Sequence, residues 1–333
     1  MNGVLALSWF EHRRTRELCT GLGIELVLLD TSRRGLWRYL LLSARTGALL
    51  AGRRPAVLMV QSPSLILSVL SLMLRPAFGH RLIVDAHNEL VVPYEHPQPW
   101  IKWLSHWVIR RADLTIVTNT QLAEIVQRAG GRAFTLPDRI PVPMPGSPRT
   151  LGTAFNVVLI ATFAKDEPIG AIFEAVHNVD FDVFVTGNAR KLDADVAARA
   201  PRNVHFTGFL ADPDYWSLLR SADAIIDLTL KPDCLVCGAY EAIALGKPVL
   251  LSDNAASIEL FGDGAVFTNN SPADIHRGLL RLRAERARLR VAAERKRSEL
   301  IERWEVSAQH LRSELMRATS GALPQNAMRD RLD

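Results

Sequence analysis

Short apolar runs alternate along the chain with longer segments in which apolar positions recur at helical spacing. Apolar runs of this length, bounded by turn residues, are typical of strands buried within a parallel sheet. Before residue 137 the predicted strands are Val4–Leu7, Glu25–Leu29, Val57–Val60, Leu82–Ala86, Leu114–Val117 and Ala133–Leu136. After residue 148 they are Asn156–Ala161, Phe181–Val185, Ala224–Leu228 and Val249–Leu251, the last being the final core strand. This alternation predicts an α/β protein.

A proline-rich segment separates the two groups of strands. Pro137–Pro148 has five prolines and no apolar periodicity, which is typical of an interdomain linker. A chain of 333 residues is long enough for two domains of ordinary size. We therefore predict one domain at residues 1–148 and another at residues 149–301. Pro272–Ala318 is strongly helical, and the tail at residues 320–333 is expected to be disordered.

The stretch Ile226–Asn254 combines the features of an anion site. An apolar strand leads into a loop with Asp233, and a short helix follows it. The N–H groups at the start of that helix, at Gly238 and Ala239, can bind phosphate oxygens. Asp233 and Glu241 flank this start, and their carboxylates can accept hydrogen bonds from vicinal hydroxyls, as a nucleotide-sugar requires. In the alternative interpretation, Asp233 caps a turn and Glu241 is a solvated helix residue.

The spacing of these two acids matches a known pattern. Asp233 and Glu241 are separated by seven residues, and the residues that follow in step are Ala242, Gly246, Lys247, Pro248 and Val249. In these positions the chain resembles GT-B glycosyltransferases of glycosyltransferase family 4. The family usually has Glu at the first acid. Because Asp233 is one methylene shorter, its contact with the sugar is expected to differ.

The resemblance implies a GT-B fold, in which two Rossmann-like domains face a cleft. The donor nucleotide-sugar would bind the C-terminal domain and the acceptor the N-terminal one. Glu241 would hold the ribose, and Asp233 the sugar hydroxyls. Trp304-Glu305 resembles a late Trp-Glu pair of the family, so residues 302–319 are predicted to form a helix that crosses back to the N-terminal domain.

The same resemblance assigns three further residues to the donor. Gly187 follows a strand in a glycine turn, and Gly208 lies in a loop of the kind that borders the nucleotide base. Lys165 is a loose match for a lysine that holds the diphosphate, and the Gly-Arg pair that usually accompanies it is missing. No glycine-rich G-x-G-x-x-G loop follows the first strand, which disfavours a nicotinamide-dependent dehydrogenase. These departures leave a catalytically silent GT-B scaffold as an alternative.

Besides Asp233, two further candidate catalytic residues follow the strand Leu82–Ala86. Ligands of parallel sheets bind beside the carboxyl ends of strands, so His87 and Glu89 are well placed. In the family a histidine commonly follows this strand and borders the reaction centre. If the enzyme inverts the anomeric configuration, His87 or Glu89 would be the base. The alternative is a histidine held by backbone contacts.

Basic charge is concentrated in the first half of the chain. Residues 1–150 carry 18 Lys+Arg against 10 Asp+Glu, a net charge of +8. The helix Pro99–Arg111 places Trp100, Trp103 and Trp107 on one face, with basic residues beside them. A packed core stripe and a face at an anionic membrane surface both fit this pattern. No nucleic-acid-binding signature accompanies the charge, so nucleic acid is the less favoured partner.

The expected function is transfer of a sugar from a nucleoside-diphosphate sugar to a hydroxyl of a lipid-linked saccharide, in the synthesis of cell-surface polysaccharide or glycolipid. No cofactor is expected besides the donor substrate. No metal site is expected either, because Cys234-x-x-Cys237 has no second pair. No charged region precedes the first strand, and Gln61–Ser64 interrupts the uncharged run Val57–Leu74, so neither a signal peptide nor a spanning helix is predicted. The expected location is cytoplasmic, peripheral to the inner face of the cell membrane.

Overall fold

Strands and helices alternate through both parts of the chain in the computed structural model, which describes residues 3–62, 64–93, 98–152 and 154–320. The chain forms two compact units. Met1–Arg139 and Arg303–Asp333 make up the first unit, and Ile140–Glu302 makes up the second. The tail beyond Ser320, which is predicted to be disordered, lies outside the described residues.

In the described part of the first unit, six parallel strands form one sheet in the order β2-β1-β3-β4-β5-β6. The strands are β1 (Val4–Ser8), β2 (Glu25–Leu28), β3 (Val57–Ser62), β4 (Arg81–Ala86), β5 (Leu114–Val117) and β6 (Ala133–Thr135). The helices are α1 (Arg13–Leu22), α2 (Gly35–Arg53), α3 (Leu65–Phe78), α4 (Asn88–Val91), α5 (Pro99–Arg111) and α6 (Thr120–Arg128). β1 and β3 are buried along their whole length, as expected for central strands covered on both faces.

Local sequence signals set the ends of several of these helices. α1 stops at Gly23, which takes the left-handed conformation with a φ of 67°. α3 begins after Ser64, whose hydroxyl accepts the N–H of Leu67 at 3.3 Å. Asn119 caps α6 in the same way, since its Oδ1 accepts the N–H of Leu122 at 2.9 Å.

In the described part of the second unit, six parallel strands form a sheet in the order β12-β11-β10-β7-β8-β9. The strands are β7 (Asn156–Leu159), β8 (Asp182–Thr186), β9 (Val204–Gly208), β10 (Ala224–Asp227), β11 (Val249–Ser252) and β12 (Val266–Thr268). The helices are α7 (Ile169–Val176), α8 (Ala194–Ala197), α9 (Asp212–Ser221), α10 (Cys237–Ala244), α11 (Ala255–Phe261) and α12 (Pro272–Ala284). One long helix, α13 (Arg286–Thr319), follows.

The second sheet does not end where the sequence predicts. Val249–Leu251 is predicted as the final core strand, but β12 pairs in parallel with β11 beyond it, with Leu250 opposite Val266. The prediction was wrong because β12 has only three residues and follows the glycine-rich turn Gly262–Gly264. A run that short carries no periodic signal.

The helix that carries Trp304 begins well before the predicted start at residue 302. α13 runs without a break from Arg286, because nothing in its sequence interrupts a helix there. Trp304 is buried in the first unit, where its indole N–H donates to the carbonyl of Pro137 at 3.2 Å. Gly21 makes room for this ring, since a Cβ at Gly21 would lie 2.1 Å from the tryptophan Cη2.

Within the uncharged run Val57–Leu74, Val57–Ser62 forms β3, and the residues from Leu65 onward lie in α3, in agreement with the interpretation of a strand followed by a helix. Within the described ranges, no helix combines the length and the apolar character needed to cross a membrane.

Each sheet reverses its strand order at one point. In the first unit the reversal lies between β1 and β3, and in the second it lies between β7 and β10. In open parallel sheets, ligands bind beside the carboxyl ends of the strands at such a point. Ligands are therefore expected to bind beside these two strand ends.

Candidate active site

The carboxyl end of β10 holds a buried carboxyl group that organises the start of α10. Asp227 is the last residue of β10, and its Oδ2 accepts a 2.8 Å hydrogen bond from the N–H of Gly238. Burial raises the pKa of Asp227 well above its ordinary value. The negative charges of Glu167, Glu241 and Asp166 add to that increase. Sequence reasoning missed Asp227 because it ends an apolar strand and its partner lies 11 residues further on.

The predicted phosphate ligands Gly238 and Ala239 are both buried at the start of α10. The N–H of Gly238 is donated to Asp227, and the N–H of Ala239 to the carbonyl of Val236 at 3.3 Å. A Cβ at Gly238 would lie 2.5 Å from Asp227 Oδ2 and 2.6 Å from Ile160 Cδ1. Glycine is therefore needed here for the approach of Asp227. These contacts do not support direct donation by the two N–H groups to a phosphate.

Glu241 is buried in α10 and has a fixed partner. The hydroxyl of Tyr215, in α9, donates to Glu241 Oε2 at 2.5 Å. Burial, followed by the charge of Glu241, raises the pKa of Tyr215, so the phenol stays protonated and remains a donor. The alternative that Glu241 is a solvated helix residue is wrong, because Glu241 is only 5% exposed. Sequence reasoning missed Tyr215, which lies 26 residues away in the chain.

Two loops meet at the β7/β10 reversal of the second sheet. Asp166, in the loop after β7, accepts the hydroxyl of Thr229 at 2.7 Å. Lys231 Nζ lies 3.7 Å from the other carboxylate oxygen of Asp166. Both partners belong to the loop after β10, so these contacts join the two loops.

The loop after β7 also carries Lys165. The carboxylate of Glu167 accepts the N–H groups of Thr162 and Phe163 at 2.9 and 2.8 Å, which fixes the shape of this loop. Lys165 itself is exposed. Its ammonium group is therefore accessible to an anion at the strand reversal.

Asp233 lies half-buried in the loop between β10 and α10. Asn254 holds this loop, because its side-chain amide donates to the carbonyl of Cys234 at 3.2 Å. The same asparagine caps α11 by accepting the N–H of Ser257 at 2.8 Å. The loop that carries Asp233 is thus anchored to the end of β11.

Gly187 and Gly208 are neighbours at the carboxyl ends of β8 and β9. The N–H of Gly187 donates to the carbonyl of Gly208 at 3.2 Å. Gly187 has a φ of +95°, and a Cβ there would lie 2.1 Å from the carbonyl oxygen of Ala161. Only glycine fits at that position. The structure therefore places both glycines beside the loop that follows β7.

In the first unit, polar side chains gather at the reversal between β1 and β3. The hydroxyl of Ser8 lies 2.5 Å from Gln61 Oε1, and Gln61 Nε2 lies 3.4 Å from His87 Nε2. The imidazole of His12 packs edge-on against that of His87, with ring centroids 4.3 Å apart. Sequence reasoning placed His87 at this end of the sheet but missed His12, although its position just after the first strand was a usable signal.

Both histidines are held in the neutral form. Burial lowers the pKa of His87 to about 4, and it also lowers the pKa of His12. The carboxylate of Asp85 acts in the opposite direction on His87. That carboxylate is bound by Arg14, whose Nε donates to Oδ1 at 3.0 Å. A neutral His87 can accept a hydrogen bond at physiological pH.

The candidate carboxylates are divided between the two units. Asp233 and Glu241 belong to the second unit, whereas Glu89 lies in the first turn of α4 in the first unit. Glu89 is half-buried and lines a cavity. Within the described ranges, no group of three or more His, Cys, Asp or Glu side chains is arranged to hold a metal ion.

Two family models match the chain, one in each unit. The model described as a glycosyl transferase 4-like domain matches residues 4–136, and the model described as glycosyl transferases group 1 matches residues 171–299. The chain belongs to the glycosyltransferase 4-like family of GT-B enzymes. The family expected from the acid-x7-acid pattern is confirmed, as is the fold of two Rossmann-like halves.

Solved structures with the same fold have little sequence identity to this glycosyltransferase. HepE of Anabaena, in complex with UDP and glucose, is 14% identical, with a TM-score of 0.74 over 95% of this chain and 99% of its own. Sucrose-phosphate synthase of Thermosynechococcus elongatus is 15% identical, with a TM-score of 0.75 over 96% and 100%. The lipopolysaccharide outer core galactosyltransferase WaaB is 10% identical, with a TM-score of 0.62 over 96% and 99%. No curated protein sequence matches significantly.

The low pKa of His87 makes the stability of the glycosyltransferase depend on pH. In the unfolded chain this histidine takes up a proton near its ordinary pKa of 6.5, whereas in the folded protein it does so only near about 4. Stability is therefore expected to fall as the pH falls from about 6.5 to about 4. Urea unfolding at pH 7 and pH 4.5 measures this loss. His87→Gln should reduce it, whereas His177→Gln, at an exposed histidine, should not. Identical pH dependence in both variants would contradict the assignment.

Proposed function

We propose that this glycosyltransferase moves a sugar from a nucleoside-diphosphate sugar to a hydroxyl of a lipid-linked saccharide. The step would belong to the synthesis of cell-surface polysaccharide or glycolipid, at the cytoplasmic face of the cell membrane. The observation that carries the donor assignment is the buried carboxylate of Glu241, held by Tyr215. A buried carboxylate is a strong acceptor for hydroxyl groups, as binding of a ribose requires.

The remaining donor contacts are assigned around the β7/β10 reversal. Asp233 would contact the sugar hydroxyls, and Lys165 the diphosphate. Gly187 and Gly208 would border the base, where their small size leaves room for a ring. Gly238 and Ala239 would act through the N-terminal end of the α10 dipole, since their own N–H groups bond within the protein. HepE is solved with UDP-glucose, so a uridine nucleotide is the first donor to test.

The reaction exchanges one bond at the anomeric carbon. The bond from that carbon to the diphosphate oxygen breaks, a bond to the acceptor oxygen forms, and the acceptor hydroxyl loses its proton. We propose that basic side chains, Lys165 among them, oppose the charge of the leaving diphosphate without a metal ion. If the product is inverted, neutral His87 or Glu89 would take the proton. If it is retained, the leaving phosphate is the candidate acceptor of that proton.

Calorimetry against a panel of UDP-, GDP- and ADP-sugars tests the donor assignment. At least one of them is expected to bind, and its turnover with an acceptor distinguishes an enzyme from a silent scaffold. Binding without transfer to any lipid-linked acceptor would favour the scaffold. No binding in the whole panel would overturn the proposal.

The membrane part of the proposal rests on α5. This helix packs inward through Ser105, Val108 and Ile109, whereas Trp100 and Trp103 are 65% and 61% exposed. A core stripe therefore does not account for these two tryptophans. α3 packs against both α5 and α2, and α2 also exposes large apolar side chains, namely Leu36, Trp37 and Leu40. Exposed apolar side chains beside basic residues suit an interfacial surface.

We predict that the protein binds anionic vesicles and binds neutral ones only weakly. Exposed Lys102, Arg110 and Arg111 on α5 would each add about 1 kcal/mol with anionic lipid, and salt would weaken the binding. Vesicle sedimentation measures it. Trp103→Ser should weaken the binding, whereas Ile258→Ser, at an exposed apolar residue of the second unit, should not. Negligible binding to both vesicle types at low salt would remove the membrane from the proposal.

A further inference from the structure

A cavity of about 380 Å³ lies in the first unit, next to the carboxyl end of β3. Its lining comes from the ends of β1 and β3 and from α2, α3, α4 and α5. Most of the lining is apolar, with Leu65, Leu90, Ile101 and Leu104 among the contributors. The volume falls within the range of about 300–1,000 Å³ that is usual for small-molecule sites.

One polar group in the lining is buried and unsatisfied. Ser62, the last residue of β3, is 0% exposed. Its hydroxyl has no hydrogen-bond partner among the described residues. A buried hydroxyl without a partner is costly, so such a group in a cavity wall indicates a polar atom of a ligand. The carboxylate of Glu89 lies in the same lining.

This polar part of the lining adjoins the histidine pair. Ser62 follows Gln61, whose amide lies 3.4 Å from the ring of His87. Glu89 is two residues beyond His87, at the start of α4. A ligand bound to Ser62 and Glu89 would therefore have its polar end next to the candidate catalytic residues and its apolar end among the leucines.

We propose that this cavity binds the apolar chain of the acceptor, with Ser62 and Glu89 bonded to the polar head that carries the reacting hydroxyl. The inference rests on the proposed function and adds that the acceptor is an amphiphile whose apolar part lies close to its reacting sugar. A purely polar saccharide does not suit the cavity, because the apolar walls cannot replace the hydrogen bonds that its hydroxyls make with water.

The cavity is suited to a single chain that enters from the surface. Ile66 and Trp100 line it and are themselves 45% and 65% exposed. Trp103, on the same helix as Trp100, is exposed beside it. A chain could therefore pass from the apolar surface of α3 and α5 into the cavity beside Ile66 and Trp100.

A series of n-alkyl β-D-glucosides, from butyl to octyl and below their micelle concentrations, tests the inference without any donor. Affinity, measured by calorimetry, is expected to rise about threefold to fourfold for each added CH2 group that enters the cavity. Ser62→Ala should weaken the binding about twofold to tenfold. The same variant should be at least as stable as the parent protein, because it removes an unpaired buried hydroxyl. A merely structural serine would leave glucoside affinity unchanged.

A matched pair of variants separates the cavity from the surface around it. Ile66 and Met73 both lie exposed on α3, but only Ile66 lines the cavity. Ile66→Ser should weaken octyl glucoside binding several-fold, and Met73→Ser should not change it. Equal losses in the two variants, or an affinity independent of chain length, would overturn the cavity assignment. Failure of every nucleotide-sugar to bind would remove the transfer reaction while leaving the chain-length result intact.

Discussion

His87→Ala is expected to lower turnover by about 10²- to 10⁴-fold while leaving donor affinity unchanged. The imidazole lies at the β1/β3 reversal, in contact with Gln61 and His12. Burial keeps it neutral, so it can accept a hydrogen bond and orient the acceptor hydroxyl. The residues proposed to bind the donor belong to the other unit, so kcat should fall and the dissociation constant of the donor should not change. Steady-state kinetics together with calorimetry measures the two quantities.

Two further variants make this result interpretable. His177→Ala removes an exposed histidine of the second unit and should retain full activity. His87→Gln keeps a polar side chain next to Gln61 and should therefore disturb the fold less than His87→Ala. A loss of turnover in both variants would then not be explained by unfolding. Full transferase activity in folded His87→Ala would reduce this residue to a structural histidine.

Glu241→Gln is expected to weaken donor binding by about 1–3 kcal/mol, because a neutral amide makes weaker hydrogen bonds to ribose hydroxyls than a carboxylate does. The glutamine has the size of the glutamate, and its Oε1 can still accept the hydroxyl of Tyr215. The change therefore removes the charge and keeps the packing of α10. Calorimetric titration with the donor measures the loss.

Glu259→Gln, on the exposed face of α11, is the matched control and should bind the donor normally. Tyr215→Phe should weaken donor binding less than Glu241→Gln does. It removes the hydroxyl that positions the carboxylate, but the carboxylate itself remains. If Tyr215 and Glu241 act together, the double variant should lose less free energy of donor binding than the sum of the losses in the two single variants. Unchanged donor affinity in folded Glu241→Gln would remove this residue from the site.

Gly238 shows how the structure changes the meaning of a predicted residue. The sequence pattern assigns its N–H group to a phosphate, but in the folded chain this group donates to Asp227, and the space next to Gly238 is occupied by Asp227 and Ile160. The carboxyl of Asp227 has a raised pKa. Gly238 therefore stabilises the start of α10 by leaving room for the side chain of Asp227.

The sequence by itself determined the fold class and where most strands lie along the chain. Strands buried on both faces have to be continuous apolar runs, so β1, β3, β4 and β10 can be identified from local composition. The stop of α1 at Gly23 could be predicted because a left-handed residue at a helix end strongly favours glycine. The acid-x7-acid pattern similarly identified the family and located the β10–α10 unit, since that pattern lies within one short stretch of chain.

The tertiary structure alone decided which side chains meet. Tyr215 reaches Glu241 across 26 residues, and His12, after β1, contacts His87, after β4. Neither pair has a local signal, because each depends on how the strands are ordered in the sheet. Exposure of Trp100 and Trp103 was also undecided by the sequence, since a core stripe and an interfacial stripe have the same helical period. Packing of α5 through Ser105, with its small side chain, leaves both tryptophans on the surface.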